Sequence, residues 1–297
     1  MAEPKPLVIG VNVNENTGRE TNPHVPWTPE EIADVAAESQ AAGASLMHFH
    51  ARTADGGAAH DPDAYVAAVR AIRRRSDLLL APAMSAGPSA PDRFANVAAL
   101  QADPGTRVEL LAIDPGTANM DLVDPGTGDY LTGDRVLTTP VDDQRWFLES
   151  AARHGLTPYL ASFNLSWTRA ILTHAAAGRV PSPAVVLLVL GGPAFVAAHP
   201  TTPSAIDAHL DTLPADLDVE WLVSSHRGDV LEVADHVVRR GGHVVIGTGD
   251  HDHPDLGLPT TPELVERVVA IGRAHGRVPA TTDQARSLLG VRAHADR

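Results

Sequence analysis

Two histidines, His48 and His50, are separated by a single residue within residues 45–52. On a β-strand this spacing points both imidazoles to the same face, and two imidazoles that converge on one point are typical ligands of a divalent metal ion. Two hydrogen-bonded histidines at the end of a strand would show the same spacing, since isolated His-x-His pairs are common. The pattern indicates a candidate metal site and leaves the structural alternative open.

Two carboxylates stand where they would join these histidines. Glu15 follows the first predicted strand, and Asp250 follows the last one, within the polar residues 247–254. In parallel α/β proteins the functional groups lie at the carboxyl ends of the strands, and in a closed barrel the first strand neighbours the last. Two histidines with one or two carboxylates suit a divalent metal that keeps open positions for a substrate.

The elements that must position these residues alternate regularly between short apolar runs and helix-period segments. We predict strands at residues 7–13, 46–50, 78–84, 108–113, 157–162, 185–190, 219–223 and 244–248. We predict helices at residues 29–42, 64–75, 92–100, 144–153, 166–177, 203–213, 229–240 and 261–275. Eight parallel βα units in a chain of 297 residues indicate an α/β fold, a TIM (β/α)8 barrel, with a doubly wound sheet as the alternative.

The domain prediction follows from the same alternation. Residues 1–297 are expected to form a single TIM-barrel domain, with a loop insertion around residues 118–142 and a C-terminal helical extension. The start of the first helix is marked by Thr28, Pro29 and Glu31, which supply an N-cap, a proline at the first helical position and the glutamate of a capping box.

The tetrapeptide Asp-Pro-Gly-Thr occurs three times, beginning at Asp103, Asp114 and Asp124. Proline followed by glycine favours a tight turn, so three surface turns are the simpler interpretation. The second copy directly follows the fourth strand, which places Asp114 and Thr117 at the catalytic end of a barrel. The aperiodic residues after it, up to residue 142, are expected to form a loop over the same opening and to act as a lid.

Composition excludes several classes of function. The formal net charge of -14 argues against a nucleic-acid surface. The chain has no cysteine, and its only lysine is Lys5, ahead of the first strand, so thiolate chemistry is excluded and Schiff-base chemistry is not expected. No apolar stretch reaches membrane-spanning length, and the first ten residues lack the pattern of a signal peptide. We expect a cytoplasmic protein without nucleic-acid or membrane partners.

Several segments match a known family. They are residues 22–33, 41–45 and 48–52 near the histidines, and, at lower identity, residues 191–193, 241–244, 261–267 and 280–286. On these segments the chain resembles the β-keto acid cleavage enzyme family over most of its length. The resemblance implies a TIM barrel with a catalytic zinc, in which a β-keto acid and acetyl-CoA give acetoacetate and a new acyl-CoA.

The resemblance also assigns roles near the histidines. It implies that His48 and His50 bind the metal, with Arg52 held behind them. Zinc is expected, and another divalent metal is an alternative. As a Lewis acid the metal would hold the keto acid through its carboxylate and ketone oxygens and stabilise the enolate.

The chain departs from the family pattern at several positions. Where the family has a glutamate ligand followed by an aspartate base, this chain has Gly249 and Asp250. Val245 stands where the family has an arginine that orients the base, and residues 159–164 replace its acidic residues after the fifth strand. Ser85 is retained after the third strand, but paired glycines do not follow it. These departures leave the reaction open.

The missing glutamate leaves the third metal ligand undecided. The candidates are Asp250, His251, His253 and Glu15. We expect Asp250, because residues at a strand end are held more rigidly than loop residues, and the base would then be Glu15 or a bound water. The predicted catalytic residues are Asp250, Glu15, Arg52 and Ser85. The predicted substrate-binding residues are Arg227, Asn14, Thr117 and Asp114.

Three functions are therefore considered. The first is a zinc-dependent β-keto acid cleavage enzyme that uses acetyl-CoA and has a divergent substrate. The second is a metal-dependent carbon-carbon lyase or hydrolase that does not use CoA, and the third is a degenerate barrel that binds a keto acid without turnover. Arg135, Arg169 and Arg227 are candidate ligands for CoA phosphates. The family leads us to expect a homodimer or homotetramer.

Overall fold

The computed structural model describes residues 4–15 and 17–292, and its central element is an eight-stranded parallel sheet. The strands are β1 (Ile9–Asn12), β2 (Leu46–Phe49), β3 (Leu79–Pro82), β4 (Leu110–Ile113), β5 (Thr157–Ser162), β6 (Ala184–Gly191), β7 (Val219–His226) and β8 (His243–Ile246). Each of them overlaps the strand predicted from its apolar run.

The sheet closes into a barrel through β1, which pairs in parallel with β2 on one side and with β8 on the other. The full order is β3-β2-β1-β8-β7-β6-β5-β4, and the two edge strands β3 and β4 lie against each other. The buried Glu109 accepts a hydrogen bond of 3.0 Å from the Leu80 amide across this seam. Sequential order with closure is the predicted TIM barrel, and the doubly wound alternative is wrong.

Helices follow the strands. They are α1 (Pro29–Ala42), α2 (Pro62–Arg73), α3 (Ala90–Ala102), α4 (Val141–His154), α5 (Leu165–Ala176), α6 (Pro203–Leu210), α7 (Leu231–Arg239), α8 (Thr261–Ala274) and α9 (Thr282–Leu288). The predicted capping box of Thr28 and Glu31 is confirmed, and Thr260 starts α8 in the same way. In the described part of the chain, no helix has the length and apolar character needed to cross a membrane.

Alternate residues of each strand enter two different apolar layers. Met47 and Phe49 of β2 pack between the sheet and the helices, whereas Leu46 packs inside the barrel with residues such as Leu187 of β6. Because side chains alternate along a strand, His48 and His50 continue the inward series that Leu46 begins. The barrel interior therefore receives both imidazoles at its carboxyl end.

The segment between β4 and α4 has more regular structure than its sequence predicted. Ala118–Asn119 pairs with Val136–Leu137 in an antiparallel ladder, and an isolated bridge joins Leu122 to Phe195. The expectation of an aperiodic loop is corrected here, because strands of two residues are too short to produce a period in the sequence. This hairpin segment lies over the open end of the barrel, where Leu122 contributes to the cavity lining.

The buried His209 makes the stability of the fold depend on pH. Its Nδ1 lies 2.6 Å from the hydroxyl oxygen of Thr168. Burial, together with the nearby His199, lowers the pKa of His209 to about 4, whereas an unfolded histidine titrates near about 6.5. Above that value both states are neutral and the full stability is present. As the pH falls, the unfolded chain takes up the proton first, so stability is lost.

We expect the free energy of unfolding to decrease between about pH 6.5 and about pH 4, with His209 responsible for up to about 3 kcal/mol of the decrease. Urea unfolding at both ends of this range measures it. The His209→Gln variant is expected to show a smaller pH dependence, and His24→Gln, at an exposed position, serves as the control. An equal pH dependence in His209→Gln and the wild type would contradict this assignment.

Candidate active site and metal centre

A cavity of about 880 Å³ opens at the carboxyl ends of the strands. It gathers most of the site residues predicted from the sequence. Those that line it are Glu15, His48, His50, Arg52, Ser85, Asp114, Arg227 and Asp250. The other two predicted residues, Asn14 and Thr117, are not among the residues that line the cavity.

The two histidines meet the carboxylate of Glu15 at one side of this cavity. Nε2 of His48 lies 2.9 Å from Oε1 of Glu15, and Nε2 of His50 lies 3.1 Å from Oε2 of the same carboxylate. The two Nε2 atoms are 3.4 Å apart. In the described residues these three side chains are the group of histidine and acidic residues that could hold a metal ion.

This donor set fits a tetrahedral divalent metal. Metal–nitrogen bonds of about 2.0–2.1 Å place two ligand atoms of a tetrahedron about 3.4 Å apart, which is the separation of the two Nε2 atoms. Two imidazoles and one carboxylate also match ligand sets that leave an open position for water or substrate. The cluster therefore has the composition and spacing of a catalytic metal site.

A backbone carbonyl orients His48, and a buried asparagine side chain orients His50. Nδ1 of His48 lies 2.6 Å from the carbonyl oxygen of Ala81, so this carbonyl holds the proton on Nδ1 and leaves Nε2 free to bind a metal. His50 is fixed through its main chain, because its amide donates to Asn14 Oδ1 at 2.9 Å and its carbonyl accepts from Asn14 Nδ2 at 2.9 Å. Asn14 is fully buried and supports the histidine from behind the cavity.

Arg52 holds the loop that carries Glu15. Its guanidinium donates to the carbonyl oxygens of Asn14, Glu15 and Thr17, and to that of Gly56 at 2.9 Å. A guanidinium that donates to several carbonyls of one loop fixes the path of that loop. Arg52 therefore lines the cavity and acts on Glu15 through the backbone of this loop.

The charges of the cluster stabilise one another. Burial by itself would raise the pKa of Glu15, but the two adjacent histidines outweigh it and hold the pKa well below its usual value. Burial opposes the charge on His48 as well, yet Glu15 raises the pKa of this histidine. A carboxylate that stays ionised between two imidazoles is well suited to bind a cation.

Asp250 lies outside this cluster, although it lines the same cavity. Its Oδ2 accepts a 2.8 Å hydrogen bond from Asn12 Nδ2, and its Oδ1 lies 3.9 Å from His226 Nδ1. Burial raises the pKa of Asp250, and the charge of Glu15 adds to this. The geometry thus favours Glu15 over Asp250 as the third ligand and gives Asp250 the environment of a proton acceptor.

Gly249 shows why a glutamate has no room at the position that the family uses. A Cβ placed on Gly249 would lie 2.7 Å from the amide nitrogens of both Asn14 and Glu15. The Gly249 amide also donates to the Asn12 carbonyl at 2.9 Å, which draws the two segments together. A side chain at position 249 would push the Glu15 loop away. Gly249 therefore packs closely against the segment after β1 that carries the Glu15 carboxylate.

The remaining histidines after β8 point elsewhere. His253 is buried, with its Nδ1 3.5 Å from Asp229 Oδ1, and His251 lies beside Asp252 at 3.4 Å. Neither histidine is among the residues that line the cavity. Their side chains contact the start of α7 and the loop itself, so the structure does not support them as metal ligands.

The other predicted residues differ in what they reach. Ser85 lines the cavity and donates its hydroxyl to the His60 carbonyl at 2.9 Å. Asp114 also lines it, and burial raises the pKa of this carboxyl against the opposing charge of Arg93. Thr117 is exposed and accepts a 3.2 Å hydrogen bond from the Thr139 amide, which ties the hairpin segment to itself. Only Ser85 and Asp114 of these three are therefore placed to touch a bound molecule.

Two arginines reach the cavity from the rim. Arg227 follows β7 with a positive φ of 55°, and its amide donates to the Asp250 carbonyl at 2.8 Å. Its Nε is buried without a hydrogen-bond partner in the described structure. Burial, reinforced by the positive charge of Arg135, lowers the pKa of Arg227. Two cations that face each other are a suitable place for an anionic group.

The sequence reasoning missed three polar side chains of the barrel interior. Tyr159, Ser224 and Asn12 line the cavity, and Tyr159 Oη, Ser224 Oγ and Asn12 Oδ1 are buried without a hydrogen-bond partner in the described part of the chain. Buried polar atoms normally have partners, so three open ones around a cavity indicate a ligand that supplies them. Burial raises the pKa of Tyr159 well above its usual value, which keeps the phenol protonated as a donor.

The fold and these residues define a TIM-barrel protein with a candidate divalent-metal site beside a buried carboxyl group. The family model described as beta-keto acid cleavage enzyme matches residues 6–291. The chain therefore belongs to the beta-keto acid cleavage enzyme family, which confirms the resemblance seen in its sequence.

Two named relatives agree with this assignment, and a solved structure agrees with the fold. The 3-keto-5-aminohexanoate cleavage enzyme of Acetoanaerobium sticklandii is 26% identical over 276 residues, 92% of this chain and 93% of that protein. The 3-oxoadipate:acetyl-CoA acetyltransferase of Cupriavidus necator is 25% identical over 291 residues, 97% of this chain and 95% of that protein. The structure of ObcA with oxaloacetate has a TM-score of 0.72 at 18% identity, covers 91% of this chain and 68% of its own, and shows the same fold.

We predict that the purified protein holds close to one divalent metal ion per chain and that the His48→Ala, His50→Ala double variant loses it. Glu15→Gln is expected to weaken metal binding by more than about 100-fold, because changes outside the ligand set already cost about 10- to 100-fold. Elemental mass spectrometry and competition with a chelator measure these changes. Asp250→Asn is the matched carboxylate control and should retain the metal. Loss of metal from Asp250→Asn with retention in Glu15→Gln would reverse the assignment of the third ligand.

Proposed function

We propose that this protein is a metal-dependent acyltransferase that condenses a β-keto acid with acetyl-CoA and releases acetoacetate and a new acyl-CoA. The observation that carries the proposal is the joint placement of Glu15, His48 and His50 with the separate, buried Asp250 on one cavity. Such a site can bind the oxygens of a keto acid and accept a proton beside them. The names of two relatives, a keto acid cleavage enzyme and an acetyl-CoA acetyltransferase, support the same reaction.

His48, His50 and Glu15 are proposed to hold the metal, with zinc as the expected ion because two imidazoles and a carboxylate suit it. The bound ion supplies Lewis acidity to the ketone and carboxylate oxygens of the substrate. Arg52 and Asn14 keep these ligands in position. Asp250, whose pKa is raised by burial, is proposed as the base in place of a metal ligand.

The proposed reaction balances with one proton acceptor. Asp250 takes a proton from C2 of the keto acid, and C2 then attacks the acetyl carbonyl, so that the CoA thiolate leaves. The thiolate adds to the original ketone carbon, the bond between C2 and that carbon breaks, and the acyl group departs as its CoA ester. The proton returns from Asp250 to C2, which gives acetoacetate. One group that accepts and returns the proton therefore serves both halves.

CoA requires cationic ligands for its phosphates. We propose that Arg135 and Arg227 supply them, since both line the cavity at its rim, and Arg227 has a buried nitrogen without a partner in the described structure. Arg169, a third candidate from the sequence, lies on α5 and is not part of the cavity lining. Two guanidinium groups suit a diphosphate, because each can donate to two oxygens.

Two alternatives use the same site. A carbon-carbon lyase or hydrolase without CoA would need only the metal cluster and Asp250, and a keto acid binder would need only the cluster. The likeness to a 3-oxoadipate:acetyl-CoA acetyltransferase favours the CoA-dependent reaction over both.

The test is an assay of acetyl-CoA with a panel of β-keto acids, in which acetoacetate and the new acyl-CoA are measured by mass spectrometry. We predict both products in equal amounts from wild type and a loss of kcat of at least about 100-fold in Asp250→Asn, because general bases contribute about 10²- to 10⁴-fold. Cleavage products without an acyl-CoA would favour the lyase or hydrolase. Tight binding of a keto acid with no product would favour the binder.

Tyr159 is proposed to donate its phenolic hydrogen to a substrate oxygen, since its hydroxyl is buried at the cavity without a partner in the described residues. Tyr159→Phe keeps the ring and removes only the donor. We predict a decrease in kcat of about 10- to 1000-fold with a Tm equal to or above that of wild type, because removing one preorganised donor to a developing oxyanion costs up to about 10³-fold. The matched control is Tyr130→Phe, which also removes one phenolic hydroxyl but at an exposed position outside the cavity lining, and it should leave kcat unchanged. Equal kcat in Tyr159→Phe and wild type would show that the hydroxyl has no part in the reaction.

Two further expectations remain proposals. A homodimer or homotetramer is supported by exposed apolar side chains at the mouth, namely Tyr130, Leu131, Val136 and Val196, each more than half exposed. Light scattering of the purified protein determines the subunit number. A cytoplasmic location is proposed on the sequence alone.

A further inference from the structure

The side of the cavity that faces the histidines across the barrel is apolar. β6 lies four strands from β2 in the ring of eight, so the two strands are opposite each other. Apart from Tyr159 of β5, the lining on the side of β5 and β6 is apolar. Its apolar residues are Ala161, Phe163, Leu187, Val189 and Phe195, which we call the apolar wall. Phe163 and Phe195 meet edge to face, with ring centroids 5.9 Å apart, and this contact fixes the surface.

The hairpin segment extends the apolar wall over the top of the cavity. Met120, Leu122 and Leu137 line it from above, and the bridge between Leu122 and Phe195 joins this cover to the wall. A group that leaves the metal side and crosses the barrel therefore meets apolar carbon on its far side and above it.

Arg135 of the hairpin segment and Arg227 after β7 line the rim of the cavity, and the ring centroid of His226 lies 4.6 Å from that of Phe195. The acidic side chains of the cavity lie elsewhere. Glu15 and Asp250 follow β1 and β8, and Asp114 follows β4, where the positive charge of Arg93 acts on it. Neither β5 nor β6 carries a charged residue. The one polar atom on the inner face of β5 in this region is the hydroxyl of Tyr159, which burial keeps uncharged. A charged group against the apolar wall would be desolvated without a partner there, which is unfavourable.

We propose that this site selects β-keto acids whose acyl tail is uncharged and apolar, with the apolar wall as the subsite for that tail. The inference rests on the proposed function, because it takes the keto acid oxygens to lie at the metal cluster. From there the tail crosses toward Leu187 and Val189. The arginines at the rim remain available for the phosphates of CoA, so an acidic tail is not needed to explain them.

The experiment compares three keto acids with six-carbon chains that differ only in the tail. They are 3-oxohexanoate with a neutral tail, 3-oxoadipate with a carboxylate, and 3-keto-5-aminohexanoate with an ammonium group. Calorimetry on the zinc-supplied protein without acetyl-CoA gives the Kd of each, and turnover with acetyl-CoA gives kcat/KM. We expect 3-oxohexanoate to bind at least about tenfold more tightly than either charged acid.

A homologous series measures the subsite itself. From 3-oxopentanoate to 3-oxooctanoate, each added methylene is expected to lower Kd about fourfold until the apolar wall is covered. A flat series, or tighter binding of 3-oxoadipate or 3-keto-5-aminohexanoate than of 3-oxohexanoate, would overturn the proposal.

Variants at Leu187 test the position of the tail. Leu187→Glu should shift the preference toward 3-keto-5-aminohexanoate, and Leu187→Gln, of the same size but uncharged, should not. If the charged variant does not fold, Leu187→Ala still applies, because it should weaken binding of 3-oxooctanoate more than that of 3-oxopentanoate. Equal weakening of both acids by Leu187→Ala would place the tail elsewhere and overturn the assignment of the subsite.

The binding and turnover measurements test the tail preference and the acyltransferase reaction separately. A preference for neutral tails in Kd without any acyl-CoA product would keep this inference and overturn the acyltransferase reaction. Acyl-CoA formed mainly from 3-oxoadipate or 3-keto-5-aminohexanoate would keep the reaction and overturn this inference. Absence of binding by all of these acids would overturn the inference as well.

Discussion

The position of β1 between β2 and β8 is the constraint on which the candidate site depends. Asn12 of β1 is in register with His48 of β2, and Val11 is in register with Ile246 of β8. These two ladders bring together side chains near the ends of two early strands and of the last strand. Glu15 then meets the histidines, while Asn12 Nδ2 donates to Asp250, which lies 238 residues further along the chain. Parallel pairing fixes register wherever side chains on one face are buried, so the ligand geometry follows from the barrel itself.

The proposed exchange of a carboxylate between neighbouring strands distinguishes this chain from the pattern that the family resemblance implies. Gly249 approaches the backbone of Glu15 so closely that no side chain fits, and Arg52 holds the Glu15 loop from the other side. The ends of β1 and β8 are adjacent, and of the carboxylates that follow them Glu15 contacts both imidazoles. We therefore propose that the ligand set keeps its composition while its carboxylate comes from another strand, and that Asp250 remains outside the cluster for proton transfer.

The sequence predicted the site residues whose position follows from the alternation of side chains along a strand. It could not predict those whose position depends on the path of a loop. His48 and His50 were found because alternation along a strand is a local rule, and the same rule applied to β5 would have pointed to Tyr159. The preference for Asp250 as a ligand over Glu15 rested on strand ends being more rigid than loops. It did not anticipate that Arg52 would fix the loop of Glu15 through several carbonyl oxygens. Thr117 lies within a hairpin whose strands of two residues leave no signal in the sequence.

The polar atoms that the barrel leaves open also have a thermodynamic meaning. Each buried donor or acceptor without a partner costs about 1–3 kcal/mol relative to a satisfied one, and Tyr159, Ser224 and Asn12 each carry one at the same cavity in the described structure. Apolar side chains at these positions would give a more stable folded protein, because the neighbouring apolar wall shows that the barrel interior accommodates them. A molecule with several oxygens that enters the cavity can pair with these atoms. An interior with open polar groups on one side and an apolar wall on the other is therefore matched to a ligand with an oxygen-rich head and a hydrocarbon tail.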